Sequence, residues 1–306
     1  MPNGSLAYAT AAAFRTALKD RFHDIASVDA GYSLAELQRQ FAYDRVLARC
    51  FAGADAERWV LKGAGALLAR LEKARHSKDI DLCYAHDDAA ADEALAGLSQ
   101  ALETDIGDHF VFEVTRTTPL PEAAKGQRVH VTARLGAKVY ASFHIDVVVG
   151  TAMSGEPDLV PPLTPIAIEG LVRPSYRAFP LADHIADKFS ATVEVHRQAG
   201  EARPSTRVKD LVDLALIAST QVVGGPALRT AIRVGFAHRG VEVPKAFTVP
   251  DDASWRARYP RVARDAPGMV PHYEEAVDLA GRLIDPTLTR DPLGSWDPAK
   301  RAWSLS

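Results

Sequence analysis

A single stretch decides the fold of this chain: Arg58-Trp-Val-Leu-Lys-Gly-Ala-Gly-Ala-Leu-Leu-Ala-Arg-Leu-Glu-Lys-Ala-Arg-His-Ser-Lys-Asp-Ile-Asp-Leu-Cys-Tyr84. Residues 59–61 form a short apolar run, which the glycine-containing residues 63–65 interrupt. Residues 66–73 consist of helix formers, and residues 80–84 are again typical of a β-strand. The stretch therefore predicts a strand, a glycine turn, a helix and a second strand.

The second predicted strand is expected to end with two acids, Asp79 and Asp81. Residues two apart in a strand point to the same face, with Cα atoms roughly 6.5 Å apart. Two such carboxylates can converge on one or two divalent cations, and oxygen ligands suit Mg²⁺ or Mn²⁺. The alternative is that both acids are solvated or cap a turn, and an Asp-x-Asp motif alone does not distinguish these cases.

The glycine turn favours the metal site, because glycines free backbone N–H groups to face an anion and allow phosphates to approach closely. The segment Lys62-Gly-x-Gly-x-Leu67, followed by Arg75-x-Ser77-x-Asp79-Ile-Asp81, resembles the signature of the AbiEii/AbiGii and MenT nucleotidyltransferase toxins. These toxins are members of the polymerase-β-like nucleotidyltransferase superfamily. The resemblance implies an α/β (α+β) fold with a mixed sheet and flanking helices, followed by a mainly helical C-terminal domain.

The composition is that of an ordinary globular protein. With 306 residues, 47% hydrophobic and 25% charged, the chain has material for one large or two modest domains. A net charge of −3 gives no general basic field, so any contact with nucleic acid must come from a local patch.

The two isolated cysteines, Cys50 and Cys83, argue against a zinc site or disulfide framework. No window reaches 18 apolar residues, so we expect a cytoplasmic protein without a membrane span.

Periodic patterns predict several further elements. Ser33-Leu-Ala-Glu36 has the spacing of a capping box and predicts a helix start. Residues 92–102 are typical of a surface helix, and residues 110–117 of a strand. Apolar and polar residues alternate through residues 128–135, which predicts a strand with one buried face.

Asp146 is the candidate third acid of the site. It interrupts the apolar strand predicted at residues 143–149, where a carboxylate is costly to bury unless a metal or a donor compensates it. The alternative is a structural carboxylate at a strand edge. His144 shares its face but is interpreted as a neighbour rather than a ligand, because hard cations prefer oxygen.

Residues 151–180 contain six prolines and are expected to be the domain boundary. Residues 1–180 would form the nucleotidyltransferase core with N-terminal helices. Residues 181–306 would form a helical domain that completes the active-site cleft.

The resemblance assigns functions to two helical segments of that second domain. Ala186-Asp-Lys188 matches a family segment whose lysine binds phosphate, although a lysine at the border of an apolar stripe often only packs its stem. Arg207-Val-Lys-Asp-Leu-Val-Asp-Leu214 matches a second family segment, which implies that Asp210 is an active-site acid. Lys209 and Asp213 are weaker candidates. The alternative is a solvated charged face with an intrahelical ion pair.

A possible RNA-binding cluster lies further along the chain. Four arginines interleave with two aromatic residues there: Arg256, Arg258, Arg261, Arg264, Trp255 and Tyr259. Such a segment can bind a phosphate backbone while stacking a base. It is equally consistent with a solvated surface that has two packed aromatics. Arg207 is a further RNA-binding candidate.

Together, the residues and the resemblance imply transfer of a nucleoside monophosphate from a nucleoside triphosphate (NTP) to an acceptor hydroxyl. The assigned residues are Asp79, Asp81 and Asp146 for Mg²⁺ or Mn²⁺, Gly63, Gly65 and Ser77 for phosphates, and Lys62 and Lys188 for charge neutralisation. Ser77 is the nearest hydroxyl because the turn Gly63-Ala-Gly-Ala66 lacks the Thr or Ser that often follows the glycines in the family. For MenT-like members the acceptor is the 3′ end of tRNA, where added nucleotides block aminoacylation and translation.

A cognate antitoxin is the implied protein partner. Two alternatives remain open at this point. One is a nucleotidyltransferase that modifies a small molecule such as an aminoglycoside, or a protein hydroxyl. The other is a non-catalytic binding module with the same fold.

Overall fold

A computed structural model of the chain describes residues 6–28, 32–71, 74, 77–85, 90–120, 125–198, 201–264, 270–289 and 294–304. Arg75 of the motif lies outside the described residues. The chain divides into two compact units. The first comprises Met1–Arg70, His76–Thr151 and Leu159–Ala178, and the second comprises Leu71–Arg75, Ala152–Asp158 and Phe179–Ser306. Among the described residues, no helix has the length and apolar character needed to span a membrane.

The first unit is built on a mixed sheet of seven strands. Its helices are α1 (Ala11–Val28), α2 (Leu34–Ala52), α3 (Gly63–Arg70) and α4 (Ala91–Glu103). Its strands are β1 (Trp59–Lys62), β2 (Asp79–Tyr84), β3 (Phe110–Pro119), β4 (Gly126–Leu135), β5 (Lys138–Val149), β6 (Asp158–Val160) and β7 (Tyr176–Ala178). Their order in the sheet is β3-β4-β5-β2-β1-β7-β6.

The predicted elements of this unit are present. Ser33 caps α2 as expected, because its hydroxyl accepts from the Glu36 amide while the Glu36 carboxylate accepts from the Ser33 amide. In β4 the apolar residues are buried and the residues between them are half-buried, as the alternation predicted.

Two details of the deciding stretch differ from expectation. Helix α3 begins at Gly63, directly after β1, so the glycines form the first turn of the helix rather than a separate turn. Asp79 and Asp81 open β2 rather than end it. The reason is that β2 runs antiparallel to β1, which sets its first residues beside the last residues of β1, with Lys62 opposite Asp81.

Helix α2 is buried over most of its length and carries charged side chains into the core. Asp44 accepts hydrogen bonds from the Leu163 and Thr164 amides and from the Tyr176 hydroxyl. Arg49 forms two hydrogen bonds with Asp108 at 2.9 and 3.0 Å. These bonds compensate the cost of burying charge, so α2 is fixed by specific partners as well as by apolar packing.

The second unit is mainly helical, which confirms the predicted fold class of a mixed sheet followed by helices. Its described helices are α5 (Leu181–Val193), α6 (Val208–Thr220), α7 (Gly225–Arg239), α8 (Asp252–Ala263) and α9 (Tyr273–Thr289). Short strands accompany them: β8 (Val195–Gln198), β9 (Glu201–Pro204), β10 (Val223–Gly224), β11 (Ser295–Asp297) and β12 (Ala302–Trp303). The buried Trp296 indole donates to the Ala218 carbonyl at 2.8 Å and so ties β11 to α6.

Candidate active site

Two rows of ionisable residues cross the sheet of the first unit. The first row pairs Lys62 of β1, Asp81 of β2, Asp146 of β5 and Arg128 of β4 in register. The second row pairs Asp79 of β2, His144 of β5, His130 of β4 and Arg116 of β3. Side chains at paired positions of neighbouring strands point to the same face, and so do residues two apart along a strand. The two rows therefore share one face of the sheet.

Asp79, His144 and Asp146 form a group that fits a divalent cation. Each residue offers one ligand atom, and these atoms all lie within 4.8 Å of one another. His144 Nε2 is 3.4 Å from Asp79 Oδ2. The three side chains are half-buried, so an ion there would be partly shielded from solvent and still reachable by a substrate. The structure thus brings Asp146 to Asp79, as the sequence suggested, and adds His144, which was expected to be only a neighbour.

Asp81 lies on the same face but outside that group, against the start of α3. An ideal Cβ on Gly63 would come 1.7 Å from Asp81 Oδ2, so this carboxylate occupies the space that any other side chain would need. Gly63 also has a φ of +59°, a left-handed conformation that favours glycine. A carboxylate near a helix N-terminus is stabilised by the free amides and the helix dipole. Gly63 is therefore required by both its backbone conformation and its neighbour.

Arg128 holds Asp146 from the neighbouring strand. Arg128 Nε and Nη2 each donate to a different oxygen of the Asp146 carboxylate, both at 2.7 Å. This hydrogen bond, with the further charges of Asp79 and Asp81, keeps the pKa of Arg128 above its ordinary value. A cation bound at Asp146 would have to share the carboxylate with this guanidinium.

Ser77 and Gly65 have structural contacts that the motif alone does not reveal. Ser77 is buried, and its hydroxyl donates to Asp79 Oδ1 at 2.8 Å, so it orients the carboxylate in this structure. Gly65 is buried in α3, and an added Cβ would lie 3.3 Å from the Leu61 side chain. Close packing of α3 on β1 therefore accounts for Gly65. Binding of phosphates by Ser77 and Gly65 stays a prediction.

The second unit contains a buried ion cluster built from the other predicted residues. Lys188 Nζ lies 3.2 Å from Asp210 Oδ1 and 2.6 Å from Asp213 Oδ2. All three residues are buried, and Arg207, whose side chain is 49% exposed, pairs with the other oxygen of Asp210. Lys188, Asp210 and Asp213 thus meet in one buried cluster. Their action in the same site as Asp81 stays a prediction.

The arginines of α8 lie on the surface, whereas the two aromatic residues among them are packed inside. Trp255 and Tyr259 are 1% and 0% exposed, and their polar atoms donate to the carbonyls of Ser205 and Val270. Neither ring is free to stack on a base, so that part of the RNA-binding hypothesis is wrong. Arg256 pairs with Asp252 and Glu274, whereas Arg258 is exposed.

Two residues of the site were not found by sequence reasoning. Arg128 was recognised only as a polar position of a strand, and His144 was set aside as a neighbour. The alternating polar residues of β4 were the one sequence feature that pointed to Arg128, because they mark the sheet face on which Asp146 also lies. The register between β4, β5 and β2 was needed to bring these side chains together.

The chain is similar to one known protein family and to solved structures. Residues 45–280 match the family described as the nucleotidyl transferase AbiEii toxin of a type IV toxin–antitoxin system. Among solved structures, JHP933 from Helicobacter pylori has 15% identity and a TM-score of 0.45, covering 84% of this chain and 94% of that chain. A structure provisionally described as a nucleotidyltransferase, also from H. pylori, has 14% identity and a TM-score of 0.46, covering 84% and 97%. A comparison with curated proteins gave no match. Since the family match spans most of the chain, the protein belongs to the AbiEii nucleotidyltransferase toxin family.

Proposed function

We propose that this nucleotidyltransferase uses a divalent metal ion to transfer a nucleoside monophosphate from an NTP to the 3′ end of tRNA. The observation that carries the proposal is the arrangement of Asp79, Asp81 and Asp146 on one sheet face, beside the glycine start of α3. The carboxylates supply oxygen ligands, and the helix start supplies amides suited to phosphate.

Each part of the site has a chemical task in this proposal. Asp79, Asp81 and Asp146 would hold Mg²⁺ or Mn²⁺, which neutralises charge on the triphosphate when bound. The amides at the start of α3 would face phosphate oxygens, and Lys62 would add positive charge. The acceptor hydroxyl oxygen then attacks the α-phosphorus and loses its proton to solvent. A new P–O bond forms, the bond between the α-phosphorus and the oxygen that bridges it to the β-phosphorus breaks, and pyrophosphate leaves. Such a reaction depends on positioning and charge neutralisation, and these residues supply both.

Ser77 supports the chemistry indirectly. Its hydrogen bond occupies Asp79 Oδ1, which leaves Oδ2 as the oxygen nearest His144. A carboxylate fixed in this way loses less conformational entropy when it binds an ion. Ser77 is thus a positioning residue in the proposed reaction.

Membership of a toxin–antitoxin family leads to the biological part of the proposal. Nucleotides added to the tRNA 3′ end would block aminoacylation and stop translation. A cognate antitoxin would restrain the enzyme, and both would act in the cytoplasm, where tRNA and NTPs are present.

The acceptor is tested by supplying each class in turn. The purified chain is incubated with one α-labelled NTP at a time and with total RNA, an aminoglycoside mixture or a protein extract. We expect label in the tRNA band, removable by a 3′ exonuclease. Label in the small-molecule or protein fraction, with none in RNA, would overturn the tRNA assignment and leave nucleotidyl transfer intact. The Asp79→Asn variant serves as the control for background labelling.

A further inference from the structure

The imidazole of His144 lies inside the carboxylate group. In β5 it is paired in register with Asp79 on one side, and Asp146 follows two residues later on the same face. Its Nε2 atom, one Asp79 oxygen and one Asp146 oxygen are mutually within 4.8 Å. The side chains of His144 and Asp79 are 26% and 35% exposed, so both are accessible from solvent.

The spacing of these atoms matches two ligands of one ion. The 3.4 Å between His144 Nε2 and Asp79 Oδ2 exceeds the range of about 2.7–3.2 Å for an N–H···O hydrogen bond. Two ligands about 2.1 Å from one metal ion lie roughly 3.0–3.4 Å apart, for right-angle and tetrahedral arrangements respectively. The distance therefore suits shared coordination better than a direct hydrogen bond.

A nitrogen ligand changes which ion the site prefers. Mg²⁺ favours oxygen ligands and retains much of its water, whereas imidazole suits transition-metal ions. Two carboxylates and one imidazole form a mixed ligand set. Mn²⁺ should bind such a set more tightly than Mg²⁺ does, because Mn²⁺ is a transition-metal ion of the Irving–Williams series and accepts nitrogen ligands.

We infer that His144 is a metal ligand together with Asp79 and Asp146, and that it makes the site select Mn²⁺ over Mg²⁺. The inference rests on the proposed function only in the chemical task given to the bound ion, which is to assist nucleotidyl transfer. Its test measures the ion itself and needs neither NTP nor turnover.

His130 provides a matched control. It is the next residue in the same row, its ring centroid is 5.9 Å from that of His144, and it lies on the same face. It contacts Arg116 and is not a member of the group with Asp79 and Asp146. Loss of a nearby imidazole is thus separated from loss of the ligand.

The experiment titrates Mn²⁺ into the metal-free full chain and follows the free ion by its electron paramagnetic resonance signal, with Mg²⁺ as competitor. We expect His144→Ala to weaken Mn²⁺ binding by roughly tenfold or more, because loss of a residue that only supports a ligand already costs 10–100-fold. His144→Asp should retain an ion but lose the preference for Mn²⁺. His130→Ala should bind like the parent.

A spectroscopic measurement on the parent protein does not depend on any variant folding. Electron spin echo modulation from a directly bound ¹⁴N should be present with Mn²⁺ and absent in His144→Asp. Absence of nitrogen coupling in the parent, or parental Mn²⁺ affinity in a folded His144→Ala variant, would overturn the inference. Mn²⁺ bound through nitrogen without any nucleotidyl transfer would instead count against the proposed function alone.

Discussion

Arg128 and Asp146 face each other across the β4–β5 pair and share two parallel hydrogen bonds of 2.7 Å. The Arg128 guanidinium would therefore compete with a metal ion for the Asp146 carboxylate. Arg128→Met should tighten Mn²⁺ binding by roughly threefold to tenfold, the effect of about 1 kcal/mol of competing charge interaction at a partly exposed site. Isothermal titration with Mn²⁺ measures this change.

The control for that variant is Arg134→Met. Arg134 lies on the same strand, pairs with Glu113 at 3.6 Å and has the same 40% side-chain exposure as Arg128. It should leave Mn²⁺ affinity unchanged. Weaker binding in Arg128→Met than in the parent would mean that the arginine supports the ion site rather than competing with it.

Gly63→Ala should harm the protein more than an ordinary glycine substitution. Gly63 and Gly150 both have positive φ, at +59° and +65°, but of the two only Gly63 has an atom within 4 Å of where an added Cβ would lie, in the Asp81 carboxylate. Gly150→Ala should cost about 1–2 kcal/mol of unfolding free energy from backbone strain alone. Gly63→Ala should cost more and should also lower nucleotidyl transfer by displacing Asp81. Equal costs in urea unfolding, with activity retained in both variants, would contradict the role given to this contact.

Lys188→Met should destabilise the fold by about 3–5 kcal/mol, because it leaves the buried carboxylates of Asp210 and Asp213 without their shared cation. Urea unfolding followed by circular dichroism measures the change. Lys209→Met is the control, since Lys209 is exposed on the same helix as the two acids and should shift stability by less than about 0.5 kcal/mol. If Lys188→Met unfolds like the parent but binds NTP poorly, the lysine serves phosphate rather than the fold.

The arginine cluster of α8 is predicted to contact the acceptor RNA through phosphates only. Replacing Arg256, Arg258, Arg261 and Arg264 by Ala should weaken RNA labelling and flatten its salt dependence, by roughly 0.7–0.9 in slope per lost phosphate contact. Arg256→Ala alone should have little effect, because Arg256 is already paired with Asp252 and Glu274. Unchanged labelling by the fourfold variant at every salt concentration would place RNA binding elsewhere.

Local patterns were enough to predict most elements of the first unit. The capping box at Ser33 and the alternation through β4 each depend on neighbouring residues, and both agree with the structure. The start of α3 was misjudged because glycine usually ends regular structure, whereas Gly63 opens a helix with a positive φ. Partners such as Arg49 and Asp108 lie far apart in sequence, so no periodicity could reveal their pairing in the core.

The same limit applies to the candidate site. Asp79 and Asp81 are two residues apart, so their common face followed from strand geometry. The positions of His144 beside Asp79 and of Arg128 on Asp146 follow from the register of separate strands. That register is a property of the whole sheet and could not be derived from the motif.

The most direct test of the central claim is nucleotidyl transfer by Asp81→Asn. The substitution removes the negative charge of one proposed metal ligand on the sheet face, keeps nearly the same shape beside Gly63, and should leave the fold intact. Parent and variant are incubated with tRNA, Mn²⁺ or Mg²⁺ and each labelled NTP, and thermal unfolding of both is recorded. The account predicts labelled tRNA with the parent and loss of labelling in a variant that unfolds at about the parental temperature. Parental rates of transfer by the folded Asp81→Asn variant would contradict the carboxylate–metal mechanism.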